Sequence, residues 1–185
     1  MNLFKLTFIS LVLTIAAILS FTGPPAGATE VANKGQLLAA FTFNIVKFAK
    51  WSQNNSLKAA NSKIRIGVYR NVGLRISLES LTKGKISDSH ELSAFDLNAD
   101  SLNATSAPEV VILIPEAGEL SSATLKSLRN CNCLTITYGQ SDDRNGSIVN
   151  FYTDDDHLRF AIDLDKSKAE GIELSSQLLK LGKLL

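Results

Sequence analysis

Apolar residues recur along this chain at helical, alternating and continuous spacings, and each predicts an element. From Asn33 to Ser52, NKGQLLAAFTFNIVKFAKWS steps its apolar positions at helical spacing: at about 100° per residue, Trp51, Leu37, Phe48, Phe41, Ile45, Leu38 and Ala49 share one broad arc. Asn44 falls inside that arc, so its amide is expected to be buried and hydrogen-bonded to nearby backbone, since an unpaired amide costs about 1–3 kcal/mol. Phe43 falls outside it beside Lys50, which leaves two readings: a contact with a partner, or cover by the chain's own loops. KIRIGVY then alternates Ile64, Ile66 and Val68 with Arg65 and Gly67, a strand pattern.

Asn71 to Leu81 predicts a short helix with Leu74, Leu78 and Leu81 on one side and Gly84 closing it, and Ile86 to Leu97 is a weakly patterned strand. The unbroken apolar run Val110 to Ile114 has the character of a strand buried on both faces. Leu120 to Leu128 reads as a helix opened by Ser121 and Ser122, and LTITY as a further strand. SIVNFYT and LRFAIDL, joined by Asp154-Asp155-Asp156-His157, predict an antiparallel hairpin. In ELSSQLLKLGKLL, Leu174, Leu178, Leu181 and Leu185 predict a closing helix capped by Ser175 or Ser176, with Lys180 and Lys183 toward its C-terminal end. Helices alternating with strands, followed by a hairpin, give an α/β class: a mixed β-sheet flanked by helices on both faces, in a single domain.

The first 28 residues carry a different pattern. Lys5 precedes an uncharged apolar run from Leu6 to Leu19, then Gly23-Pro24-Pro25 and the small residues Ala26-Gly27-Ala28. This order predicts a secretory signal peptide over 1–28, cleaved after Ala28, with the domain spanning 29–185. Removing it takes Lys5 and no acid from the 19 bases and 18 acids of the chain, leaving 18 of each. A neutral domain lacks the clustered basic charge of a nucleic-acid footprint.

Candidate chemistry is sparse. His90 sits in a predicted strand and His157 in a hairpin turn, and there is neither a G-x-S-x-G elbow nor a G-x-G-x-x-G turn to hold a cofactor pyrophosphate, so no cofactor is expected. The run Asp154 to His157 is what a hairpin turn needs and lacks the alternation and distal glutamate of a calcium loop. Cys131 and Cys133 form a C-x-C pair, two ligands where structural zinc wants four.

That leaves thiol chemistry in an exported protein. Same-face neighbours on a strand have Cα atoms roughly 6.5–7 Å apart with parallel Cβ vectors, whereas a disulfide wants Cβ atoms about 3.8 Å apart. A Cys131–Cys133 bond therefore needs a turn, and Asn130 and Asn132 tolerate one. The alternatives to such a local, redox-labile disulfide are two free thiols or an intermolecular bond. A catalytic exchange site would use C-x-x-C at a helix start.

The aromatic-rich first helix with Phe41, Asn44, Phe48 and Trp51, the strand IRIGVY, the later LTITYGQ, and the ending with Asn150, Phe160, Ile162, Ser175, Leu178 and Leu179 together resemble the YfiR-like periplasmic proteins. The resemblance implies a periplasmic α/β domain without catalytic activity that represses an inner-membrane diguanylate cyclase by binding its periplasmic sensor region. It further implies sequestration by an outer-membrane, peptidoglycan-associated lipoprotein, a homodimer, and disulfides that keep the fold active. This chain departs from that last pattern in having two cysteines, one residue apart. A small-molecule-binding subunit of a sensor or transporter, with its ligand at the strand ends, and an exported thiol enzyme built on Cys131 and Cys133 are the competing functions.

Overall fold

Eight strands form one mixed sheet, and the order in which the chain visits them decides where a site can lie. The structure is a computed structural model that describes residues 26–51, 63–87, 90–98, 107–116, 121–127, 131–142 and 146–185, with side chains from Lys34 onward except those of Ile86, Ser87, Ser122, Leu125 and Ser127. Residues 1–25, most of the expected export signal, lie outside the described residues, among which no helix is long and apolar enough to cross a membrane.

The elements run α1 Ala26–Lys47, β1 Ala49–Trp51, β2 Lys63–Tyr69, α2 Val72–Thr82, β3 Ile86–Ser87, β4 His90–Leu97, β5 Val110–Leu113 and α3 Ser122–Ser127. They continue as β6 Leu134–Tyr138, β7 Val149–Asp154, β8 His157–Ile162, α4 Leu164–Ala169, β9 Ile172–Leu174, α5 Ser176–Leu179 and β10 Lys183–Leu184. The large sheet has the order β10-β8-β7-β6-β5-β2-β4-β3, and β1 pairs with β9 in a separate antiparallel ribbon. Asn33–Leu185 makes one compact unit.

The central strands β4, β2, β5, β6 and β7 are all parallel, an order of the flavodoxin-like, doubly wound kind. The crossover through α2 steps outward to β4, and the crossover through α3 steps the other way to β6. Right-handed connections in opposite directions put α2 and α3 on opposite faces. One face carries the main core, where Ile64, Ile66 and Val68 of β2, Val110 and Ile112 of β5, and Leu134 and Ile136 of β6 meet Leu74 and Leu78 of α2 and Leu38, Ile45 and Val46 of α1. Val111 and Leu113 point to the other face, with Leu97, Cys131 and Cys133. Strand β5 is thus buried on both sides, as its apolar run requires.

The first helix ends sooner than its periodicity predicts. It stops at Lys47, and Ala49 to Trp51 turn into β1, where Trp51 pairs with Ile172. Its buried stripe is Leu38, Ala39, Thr42, Ile45 and Val46, rotated from the predicted arc, because Phe48 and Trp51 do not belong to the helix. Asn44 is therefore exposed rather than buried, and Leu37 is exposed too. The aromatics Phe41 and Phe43 sit on the flanks of this stripe, half-buried. Phe41 packs edge-on against Phe151 and Phe160 with ring centroids 6.1 and 6.3 Å away, and Phe43 is half-buried against the same core.

Two other predicted positions move for similar reasons. Steps of four from Leu74 land on Leu78 and then Thr82, which is buried with its hydroxyl donating to the Leu78 carbonyl at 2.8 Å, while Leu81 is exposed. The closing helix is one turn long: Leu174 belongs to β9, Ser175 caps α5 by accepting the Leu178 N–H, and the chain then re-enters the sheet as β10. Gly182 permits that return, since a Cβ there would lie 2.6 Å from the Phe160 ring. The polar stretch after β8 forms α4, capped by Asp163, a helix its weak periodicity does not announce.

Candidate functional site

Cys131 and Cys133 are bonded to each other just before β6, with Cα atoms 5.2 Å apart. The residue between them, Asn132, has φ 50°, the left-handed turn that shortens the span below that of a strand. Both sulfurs are shielded: Cys133 is fully buried, Cys131 is 8% exposed, and both pack with Leu97, Val111 and Leu113. Neither is a free thiolate, the form that thiol catalysis requires.

The loop is also held from outside. The Asn132 N–H donates to Glu170 Oε2 at 2.6 Å, and the other carboxylate oxygen accepts Lys166 Nζ. Glu170 is only 2% exposed, so a buried carboxylate at the end of α4 clamps a loop 38 residues away in sequence. At the neighbouring strand start, buried Glu109 accepts the Arg65 guanidinium through both oxygens at 3.1 Å and the Arg65 N–H at 2.8 Å. These clamps precede β5 and β6, at the N-terminal ends of the parallel strands. Doubly wound sheets bind ligands at the other end, outside the carboxyl ends of the strands at the switch point.

That switch point lies between β2 and β5, and the chain bridges it with its own groups. Asn71 caps α2 by accepting the Leu74 N–H at 2.8 Å and donates its amide to the Ile114 carbonyl at 2.7 Å. Glu116 donates its N–H to the Arg70 carbonyl at 3.1 Å and places its carboxylate on the Gly73 N–H at 3.0 Å. A helix N-terminus attracts anions, and here the anion is a side chain of the same chain.

A third polar cluster explains Asn150. It is buried on the face opposite the main core, where its amide donates to the Gln140 carbonyl at 2.5 Å and its Oδ1 accepts the Thr137 hydroxyl at 3.0 Å. Ser147 shares a hydrogen bond with Thr137 at 2.7 Å, and the Ile148 N–H donates to the Thr135 hydroxyl at 2.9 Å. Together these pin the connection from β6 to β7, of which 143–145 lie outside the described residues, against the sheet.

The other resemblance-bearing residues are mostly core: Phe160, Ile162 and Leu178 are buried, and Phe48, Trp51 and Leu179 are half-buried against them. Asp155 and Asp156 form the hairpin turn with φ 46° and 59°, Asp154 pairs with Arg159 at 2.9 Å, and His157 donates Nδ1–H to the Asp155 carbonyl. Among the described residues no group of three or more His, Cys, Asp or Glu is arranged to hold a metal ion. Sequence reasoning missed Glu170, Glu109 and Glu116, because a clamping carboxylate looks like any surface acid until the fold places its partners.

A family model described as YfiR/HmsC-like matches residues 35–183. No curated protein matches the sequence. Among solved structures, a conserved domain protein from Vibrio cholerae O1 biovar El Tor is 10% identical, with TM-score 0.47, over 81% of this chain and 59% of that one. The ABC domain in complex with L-Trp from Streptococcus pneumoniae is also 10% identical, with TM-score 0.48, over 82% of this chain and 60% of that one. The chain thus spans about three-fifths of the length of each, and likenesses of this degree do not bear on function.

Proposed function

This chain belongs to the YfiR/HmsC-like family, and from that premise we propose that it is an exported, non-catalytic regulatory protein that binds the periplasmic sensor region of an inner-membrane diguanylate cyclase and lowers cyclic di-GMP output. The observation that carries the reading is the family match over 35–183, nearly the whole domain expected after removal of 1–28. The bonded, buried cysteines and the Glu116 carboxylate on the α2 N-terminus support it, since neither arrangement offers a reacting group or an open anion site. In the same reading an outer-membrane, peptidoglycan-associated lipoprotein sequesters the protein, and the working form is a dimer.

Titrating the purified exported protein against the periplasmic domain of the cyclase by calorimetry tests this, with saturable binding expected. The competing function, a small-molecule-binding subunit, predicts instead specific thermal stabilisation by a metabolite at micromolar concentration and no affinity for the cyclase domain.

A further inference from the structure

Strand β4 borders the large sheet over most of its length, because its outer neighbour β3 is only two residues long. Ile86 and Ser87 pair with Glu91 and His90, and the Lys85 carbonyl accepts the Leu92 N–H at 3.2 Å. Among the described residues nothing pairs with this side of β4 beyond Leu92. Backbone groups alternate sides along a strand, so Leu92, Ala94 and Asp96 face outward while Ser93, Phe95 and Leu97 face β2. Ala94 and Asp96 thus each hold an N–H and a C=O at an open edge, which is a template for another strand.

The side chains around this edge are nearly free of charge. Asp96 is the one acid from Leu92 to Leu97, and Arg75 of α2 pairs with it at 3.1 Å. Ala94 joins the main core face, whereas Phe95 is half-buried on the other, packed with Leu97, Val111 and Leu113. The Arg75 contact sets the first turns of α2 beside the edge, and there Val72 and Ile76 are 52% and 53% exposed.

Resting on the dimeric working form in the regulatory reading above, we propose that β4 is the dimer edge. Two copies join β4 to β4 in antiparallel order about a two-fold axis normal to the sheet, which makes one continuous sheet. With Phe95 on the axis, Ala94 of each copy stands opposite Asp96 of the other, and the outward N–H and C=O groups of both residues are satisfied. Phe95 then meets its own counterpart as a non-hydrogen-bonded pair with Cα atoms about 4.5 Å apart, a position that favours aromatic pairs. Asp96 faces Ala94 rather than itself, so like charges are not opposed. The same axis keeps both α2 helices on one face and runs them antiparallel, which sets Arg75 of one copy toward Glu79 of the other and brings the exposed Val72 and Ile76 under the second helix. A foreign strand can satisfy the backbone groups, but the Phe95 pairing and the order of Arg75 and Glu79 are complementary to this chain itself. That self-complementarity selects a second copy.

Sedimentation of the full exported protein tests the edge, with affinity for the cyclase periplasmic domain measured separately. Ala94→Pro removes an outward N–H that β2 does not use, and proline is tolerated on edge strands for that reason. It is expected to weaken the dimer by about tenfold or more with unchanged circular dichroism. Phe95→Cys is expected to form a covalent dimer under mild oxidation, since the native cysteines are bonded to each other. Leu181→Cys, exposed beside β10 at the opposite border of the sheet, is the control expected to stay uncrosslinked. Should Ala94→Pro fail to fold, the Phe95→Cys cross-link decides the matter. A dimer undiminished by Ala94→Pro, or no cross-link in Phe95→Cys, overturns this edge and leaves the dimer and the regulatory reading standing. A monomeric wild type overturns the edge and the dimer together, while cyclase binding still decides the regulatory reading. A monomeric wild type whose cyclase binding is lost in Ala94→Pro shows that a cyclase strand takes the edge, and likewise overturns the proposal.

Discussion

Glu170 accepts the backbone N–H of Asn132 at 2.6 Å, so the small loop closed by Cys131 and Cys133 is fastened to the end of α4 by a buried carboxylate. Two restraints, one covalent and one a hydrogen bond to a carboxylate, act on the same loop. They differ in what each contributes.

Replacing Glu170 with Ala removes the acceptor of the Asn132 N–H and the counter-charge of Lys166 together. Breaking a buried pair from one side costs about 3 kcal/mol. Glu170→Gln keeps one acceptor and is expected to lose about half as much. Urea unfolding of the two variants, compared at constant m-value, reads the difference.

The disulfide is the weaker restraint. A loop of three residues gives only about 1.6 kcal/mol of chain entropy, and the hydrogen bond from Asn132 to Glu170 does not involve the sulfurs. Cys131→Ser/Cys133→Ser is therefore expected to stay folded, with a melting temperature lower by a few degrees and cyclase binding retained. Thermal melts with and without a dithiol check this. Loss of the fold on reduction would show the C-x-C loop to be the main fastening of this chain.

Asn150 ties the β6–β7 connection through its amide donor, a role aspartate cannot fill. Asn150→Ala is expected to cost about 1–3 kcal/mol by leaving the Gln140 carbonyl and Thr137 hydroxyl short of partners. Asn150→Asp is expected to cost more, because it also buries a charge. Amide exchange in 139–142 and 146–148 should accelerate in both variants.

Gly182 lets β10 pass over Phe160, and a Cβ would meet that ring at 2.6 and 2.9 Å and Ile162 at 3.0 Å. Gly182→Ala is expected to destabilise by about 1–3 kcal/mol through overpacking and to detach β10 selectively. Faster exchange of the Leu185 amide, with β7 unaffected, is the measurement.

The parts legible in the sequence were those where one local rule acted alone. The five-residue apolar run at β5, the alternation of β2 and the hairpin around Asp155-Asp156 each follow from period and turn chemistry. The bend at Asn132 follows from its tolerance of positive φ. Where two rules competed, the pattern misled. Phe48 and Trp51 extend a helical period that the chain abandons to pair Trp51 with Ile172, and that extended period turns Asn44 inward and Phe43 outward, the reverse of what the fold does. The leucines of the C-terminus keep a helical spacing although Gly182 serves the sheet. Pairings such as Asn132 with Glu170 and Gly73 with Glu116 are set by topology, which local periodicity does not encode.

The central claim is that this protein restrains a cyclase from the far side of the inner membrane, and cellular cyclic di-GMP measures it most directly. With the gene deleted and the cyclase expressed, periplasmic repression predicts a rise, reversed by the full chain and not by a version lacking the first 28 residues. An unchanged level on deletion, or rescue by the version lacking those residues, would contradict it.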